Sequence, residues 1–288
     1  MSIKEDTSFA RDTLPSLQTH VVAMRNAQNL QGDAQKLQQH HVIMEWLSPT
    51  DFPAQQHDII TRRQEGTGQW FVDAPEFKSW LLGSEKTLFC PGIPGAGKTM
   101  MAAIAIQYLC HATESDDIGI AYLFCSYKAQ ADQTVPSLLA ALLKQLVQSR
   151  PDTAAPVSDM YDEHSKRKSR PSIDEIIRAL QSVCSKYTVV YIVVDALDEC
   201  AGKARNQLID KLHELQARID VRLLFTSRHI PEIRQRFRCG PTIEVRASEE
   251  DVGRYIQGRI NDLPSCIQRD KDLQDIVRSE IIKAADGM

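Results

Sequence analysis

The run CPGIPGAGKT, residues Cys90 to Thr99, places three glycines and two prolines just before a lysine and a threonine. Pro and Gly mark turns wherever they fall. Here, however, Gly92, Gly97, Lys98 and Thr99 match the spacing G-x-x-x-x-G-K-[ST], the Walker A pattern. Glycines let backbone N–H groups converge on phosphate oxygens without Cβ crowding, and a helix N-terminus adds partial positive charge. A lysine at that point reaches the β- and γ-phosphates, and the following hydroxyl ligates Mg²⁺. The candidate nucleotide-binding set is Gly92, Ile93, Pro94, Gly95, Ala96, Gly97, Lys98, Thr99 and Met100.

A phosphate-bound Mg²⁺ calls for an acid at the end of another strand. VVYIVVDALDEC supplies one in Asp195, after six residues that are all apolar or aromatic. An aspartate leaving a buried parallel strand lies at the carboxyl edge of the sheet, where open α/β folds bind ligands. Thr99 and Asp195 are therefore the candidate metal ligands. Asp198 and Glu199 follow, and either could orient or activate water for attack on the γ-phosphate. VRLLFTSR ends in Arg228, a cation able to sense or stabilise γ-phosphate charge.

These side chains need a scaffold that carries them to one edge. Five apolar or β-branched runs, at 86–90, 118–127, 187–195, 221–227 and 241–245, alternate with helical stretches near 98–112, 135–149, 172–185, 204–219 and 249–262. The third and fourth runs are almost continuously hydrophobic, as strands covered on both faces are. The alternation predicts a doubly wound, mainly parallel five-stranded sheet with flanking helices. Residues 13–47, loosely helical in apolar period, predict an N-terminal helical segment over 1–50. The prolines of LSPTDFPAQQHD predict a linker and pre-loop segment over 51–74. The nucleotide-binding domain is expected over 75–246 and a partial helical subdomain over 247–288. The polar stretch 149–172, with its short KRK, reads as a solvated loop or helix face rather than a nucleic-acid site.

The totals narrow the function classes. Net charge −4 and a pI of about 6.1 leave no basic field to recruit nucleic acid or an anionic membrane. Seven cysteines show no CxxC pair or metal-ligand spacing, and the N-terminus lacks a signal-like apolar stretch. Reduced thiols in the cytoplasm are therefore expected. No run of about eighteen apolar residues exists, so no membrane span is expected.

GIPGAGKT, then VVDALDE, then LLFTSR resemble the NACHT-type branch of the STAND signalling NTPases, the fungal NOD-like and nephrocystin-type proteins in particular. Ala196 after the metal aspartate, with an acidic pair beyond it, is similar to that branch's Walker B style. RRQEGTGQWFVDAPEFKSWL (62–81) and ASEEDVGRYIQGRI (247–260) resemble the segments that flank the sheet in those proteins. The resemblance implies an ATP- or GTP-driven switch with Mg²⁺ that opens to oligomerise. Protein partners would engage the N-terminal segment or C-terminal repeats. It implies phosphate, magnesium and sensor roles for Lys98, Thr99, Asp195 and Arg228, and hydrolytic roles for Asp198 and Glu199. Arg62, Thr67 and Trp70 would lie near the base, although Trp70 and Phe71 could equally pack a hydrophobic seam. Relatives continue past IIKAADGM into a winged helix and repeats, so the chain is expected to carry only part of that architecture.

Other readings fit less well. A Ras-type GTPase needs D-x-x-G and N-K-x-D, neither of which occurs in place, so adenine is the expected base, with GTP and bound ADP left open. A small-molecule kinase would need a basic lid, for which HSKRKSR is the candidate. A nucleotide-binding interaction module without hydrolysis remains the alternative to a slow NTPase.

Overall fold

The computed structural model describes residues 36–112, 115 and 117–284. The chain divides into two units between Pro49 and Thr50. In the first, residues 36–47 are helical (α1); residues 1–35 of the expected N-terminal helical segment lie outside the described residues. In the second, α2 (Phe52–Ile60), α3 (Gln69–Asp73) and α4 (Pro75–Leu82) precede β1 (Thr87–Pro91). Then come α5 (Lys98–Ala112), β2 (Ile118–Phe124), α6 (Val135–Ser149), α7 (Ala155–Arg167), α8 (Ile173–Cys184) and β3 (Val189–Asp195). α9 (Gly202–Gln216), β4 (Val221–Ser227), α10 (Pro231–Arg236), α11 (Glu249–Gly258), α12 (Ser265–Arg269) and α13 (Lys271–Ala284) follow.

The four strands are all parallel, in the order β1-β4-β3-β2. β3 is buried along its whole length, which is why its sequence up to Asp195 is unbroken Val, Ile and Tyr rather than alternating. Helices cover both faces. Tyr191 pairs in register with Arg222, three residues before Phe225, so the two aromatic rings point to opposite faces. Tyr191 packs edge-on against Trp80 of α4, and Phe225 against His213 of α9. α5 is buried continuously from Met101 to Ile106. A helix apolar all round is one enclosed on all sides; α5 lies on the sheet and is covered by α2, whose Gln56 amide donates to the Ala103 carbonyl at 2.8 Å.

Two expectations need correction. The sheet of described strands has four members, not five. Residues 241–245 do run beside β1, through Phe89 N–H to Pro241 O, Ile243 N–H to Phe89 O and Val245 N–H to Pro91 O. They make only an isolated bridge, Phe89 to Thr242, because neither Pro241 at one end nor Pro91 at the other has an N–H to extend the ladder. The linker expected at 51–74 contains α2 and α3: Pro53 sits in the first turn of α2 and Asp51 caps it by accepting from Ala54 N–H, so this proline starts a helix. The polar stretch 149–172, expected as a solvated loop or helix face, holds the largely exposed helix α7, with its basic residues at the C-terminal end, where they suit the helix dipole.

Candidate functional site

Parallel strands bring all four carboxyl ends to one edge. β4 lies between β1 and β3, so Thr226 and Arg228 emerge between the glycine loop and Asp195. Gly95 and Gly97 hold φ of 84° and 88°, angles that an L side chain rarely adopts. Gly92 is needed for space, since a Cβ there would stand 2.5 Å from the Val245 carbonyl oxygen. The segment 241–245 thus backs the loop. α5 starts at Lys98, directly after the turn.

The Thr99 hydroxyl donates to Asp195 Oδ2 at 2.8 Å, across 96 residues of sequence. Thr226 donates to Asp195 Oδ1 at 2.5 Å and accepts the Ala196 N–H at 2.9 Å. Asp195 is 2% exposed. Burial raises its pKa, and the bonds from Thr226, Thr99 and Ala196, with the charge of Lys98, oppose that rise. Lys98 Nζ donates to the carbonyls of Gly92 (2.9 Å) and Ile93 (2.8 Å). Partial burial lowers its pKa against the pull of Asp198 and Asp195.

After Asp195 the chain turns sharply. Ala196 takes a left-handed conformation, φ 52°, at a cost of about 1–2 kcal/mol for a residue with a Cβ. The bond to Thr226 offsets it. The short 3₁₀ turn Leu197–Glu199 follows and brings both acids back to the edge. Asp198 pairs with Arg228, Oδ2 to Nε at 2.9 Å. Glu199 stands 3.6 Å from Arg228 Nη2 and accepts the Tyr127 N–H at 2.9 Å.

A cleft of about 350 Å³ gathers Pro94, Gly95, Gly97, Lys98, Thr99, Asp195, Asp198, Glu199 and Arg228. Gly92, Ile93, Ala96 and Met100 belong to the same loop and first turn. Arg62 and Thr67 do not line the cleft. Arg62 is exposed, and Thr67 is buried with its hydroxyl on the Gln64 carbonyl. Trp70 donates Nε1–H to Asp251 of α11, while Phe71 is buried against Phe77. Thr226, Tyr127 and Asp251 were not singled out from sequence. Thr226 stands level with Asp195 on the neighbouring strand; that register, like the contacts of the other two, is marked by no local pattern.

Fold and loop together define a P-loop NTPase of the NACHT type. The chain belongs to the family described as Nephrocystin 3, N-terminal, whose family model matches residues 66–228. It is 23% identical over 241 residues to the vegetative incompatibility protein HET-E-1 of Podospora anserina. That alignment covers 76% of this chain but 17% of the fungal protein, so the chain spans a small part of that relative's length. Among solved structures it is similar to Aeropyrum pernix ORC1 in complex with DNA (14% identity, 84% of this chain and 64% of that one, TM-score 0.45). Caenorhabditis elegans PCH-2 is a further match (14% identity, 72% and 45%, TM-score 0.34).

Proposed function

We propose that the cleft binds a nucleoside triphosphate with Mg²⁺ and hydrolyses it slowly, as a signalling or assembly switch. The observation that carries the reading is the 2.8 Å contact between the Thr99 hydroxyl and the Asp195 carboxylate beside the glycine loop. These are hard oxygen donors, suited to Mg²⁺. Among the described residues no three His, Cys, Asp or Glu side chains group into a metal cage. That accords with an ion that keeps waters and phosphate oxygens as its other ligands.

In this reading the amides of Gly95, Gly97, Lys98 and Thr99, with the Lys98 ammonium, hold the phosphates, and Thr99 and Asp195 hold the metal. Arg228 answers γ-phosphate charge, and Asp198 or Glu199 orients water. Lys98 now caps two loop carbonyls and would exchange them for phosphate oxygens. The absence of guanine-reading motifs supports ATP over GTP. Unpaired cysteines support a cytoplasmic setting; among the described residues no helix is long and apolar enough to cross a membrane. Residues 1–50 are the proposed surface for a protein partner, and self-association on activation is proposed with them.

The test is calorimetry with ATP·Mg²⁺. Lys98→Ala should abolish binding, and unchanged affinity would remove the proposal. Displacement of ATP by equimolar GTP would overturn the choice of base. The second reading, binding without hydrolysis, has its own support: Asp198 and Glu199 are both already engaged, by Arg228 and by the Tyr127 amide. Single-turnover assays separate the two. Glu199→Gln should bind normally and hydrolyse more slowly; zero wild-type turnover with tight ADP retention selects the binding module.

A further inference from the structure

On the inner side of the acidic turn, the sulfurs of Cys125 and Cys200 lie 2.9 Å apart. Both residues are buried and neither is in a disulfide. Cys125 directly follows β2 and Cys200 directly follows Glu199, 75 positions further along the chain. Their two segments are already joined by hydrogen bonds. Cys125 N–H donates to Asp195 O at 3.1 Å, Tyr127 N–H to the Glu199 carboxylate at 2.9 Å, and the Gln130 amide to Glu199 O at 3.2 Å. The sulfurs need approach by less than about 1 Å to reach a disulfide bond length near 2.05 Å.

We propose that Cys125 and Cys200 are a redox modification site: hydrogen peroxide converts them to a reversible disulfide that locks the Glu199 turn onto the end of β2. One thiolate attacks the peroxide O–O bond, giving a sulfenic acid and hydroxide. The second sulfur then attacks the sulfenic sulfur; the S–S bond forms, the S–O bond breaks, and the hydroxyl leaves as water with the second thiol's proton. Two thiols and one peroxide become one disulfide and two waters, and two electrons pass from sulfur to oxygen. The product is the same whichever of the two sulfurs attacks first. Burial restricts the site to an oxidant as small and uncharged as peroxide. Cross-linked, Glu199 stays on the Tyr127 amide, so hydrolysis falls while the glycine loop is untouched. That consequence rests on the proposed nucleotide reading; formation of the bond does not.

The test uses the full chain carrying Cys110→Ser, Cys239→Ser and Cys266→Ser, which removes the exposed thiols. After peroxide, intact mass should fall by about 2 Da, and non-reducing peptide mapping should link Cys125 to Cys200. Dithiothreitol should reverse both. The thermal midpoint should rise by about 5 °C, as for a cross-link closing a long loop. Thiols that stay fully alkylatable at doses oxidising Cys266 of the wild type, or that pass to sulfinic acid without linking, overturn the proposal. With the bond formed, single-turnover ATP hydrolysis should drop at least about tenfold with affinity retained. Unchanged hydrolysis overturns the locking role. A bond that forms in a protein with no nucleotide affinity in either redox state supports the modification site and sinks the nucleotide reading instead.

Discussion

Arg228 holds Asp198 at two points: its backbone N–H donates to Oδ1 at 3.0 Å, and its Nε stands 2.9 Å from Oδ2. The Asp198 side chain is 4% exposed and that of Arg228 51%. The acid is therefore fixed while the cation's outer half faces the cleft, with room to exchange partners. In the proposed site, a cation that leaves this carboxylate as γ-phosphate charge develops would contribute more to the transition state than to the bound ground state.

Arg228→Ala should accordingly lower ATP hydrolysis by roughly 10²-fold and change nucleotide affinity only a few-fold. Single-turnover rates beside calorimetry check this. An equal loss in both would make Arg228 a simple binding group.

Asp195 predicts a pH signature. Burial raises its folded-state pKa above the ordinary value of about 3.9, so the folded protein takes up the proton more readily than the unfolded chain. Its contribution is fully present below the unfolded pKa and is lost as pH rises through the folded one. Asp195→Asn removes the titration and retains polar contacts. In chelator-treated buffer the variant's melting temperature should gain on the wild type as pH climbs from 4 to 7. A constant offset across that range would refute the assignment. With Mg²⁺ and ATP present, the variant should show no nucleotide-dependent rise.

Gly68 joins the segment upstream of the loop to the P-loop helix. Its φ is 73°, and an added Cβ would stand 2.4 Å from Ile104 Cδ1 of α5. Its N–H and the Trp70 indole N–H both donate to Asp251 Oδ2, at 2.9 and 3.0 Å. Gly68→Ala should cost about 2–3 kcal/mol by strain and overpacking together, read as a lower urea midpoint at unchanged slope. Wild-type stability would mean that the turn can swing off α5 at little cost.

α8 opens on a reciprocal cap. Ser172 accepts from Glu175 N–H, and the Glu175 carboxylate accepts from Ser172 N–H at 2.7 Å. Hydrogen bonds from Ser172 hold the Glu175 pKa down to about 2. A depressed carboxyl stabilises above its unfolded pKa, near 4.3, and that stabilisation fades as pH falls toward 2. Ser172→Ala should cost about 1 kcal/mol at pH 7, with the gap from wild type closing below pH 4. Denaturant melts at pH 7 and pH 3 test it; an equal gap at both would show that the cap is not charge-dependent.

Local chemistry made the loop readable. Gly92, Gly97, Lys98 and Thr99 are adjacent in sequence, and their constraints on backbone angle and space are met within a few residues. The uniform apolarity of β3 announced a strand covered on both faces, and α5, α6, α8 and α9 showed helical runs with recognisable ends. The edge segment 241–245 was harder to read, because its composition is strand-like and only the ladder reveals that Pro241 and Pro91 break the pairing at its two ends. α2 was misread for a similar reason: Pro53 breaks or begins a helix according to what precedes it, and here Asp51 caps the turn.

The amino-acid sequence alone determined the bare amides, the lysine and the hydroxyl at one strand end, and an acid at another, because strand–turn–helix signals act over short stretches of chain. Tertiary structure decided that β4 separates β1 from β3, and so that Thr226 pins Asp195, Arg228 holds Asp198, and Cys125 meets Cys200. Those pairings depend on the order in which parallel strands assemble. That order is set by packing across the whole sheet, and no spacing along the chain records it.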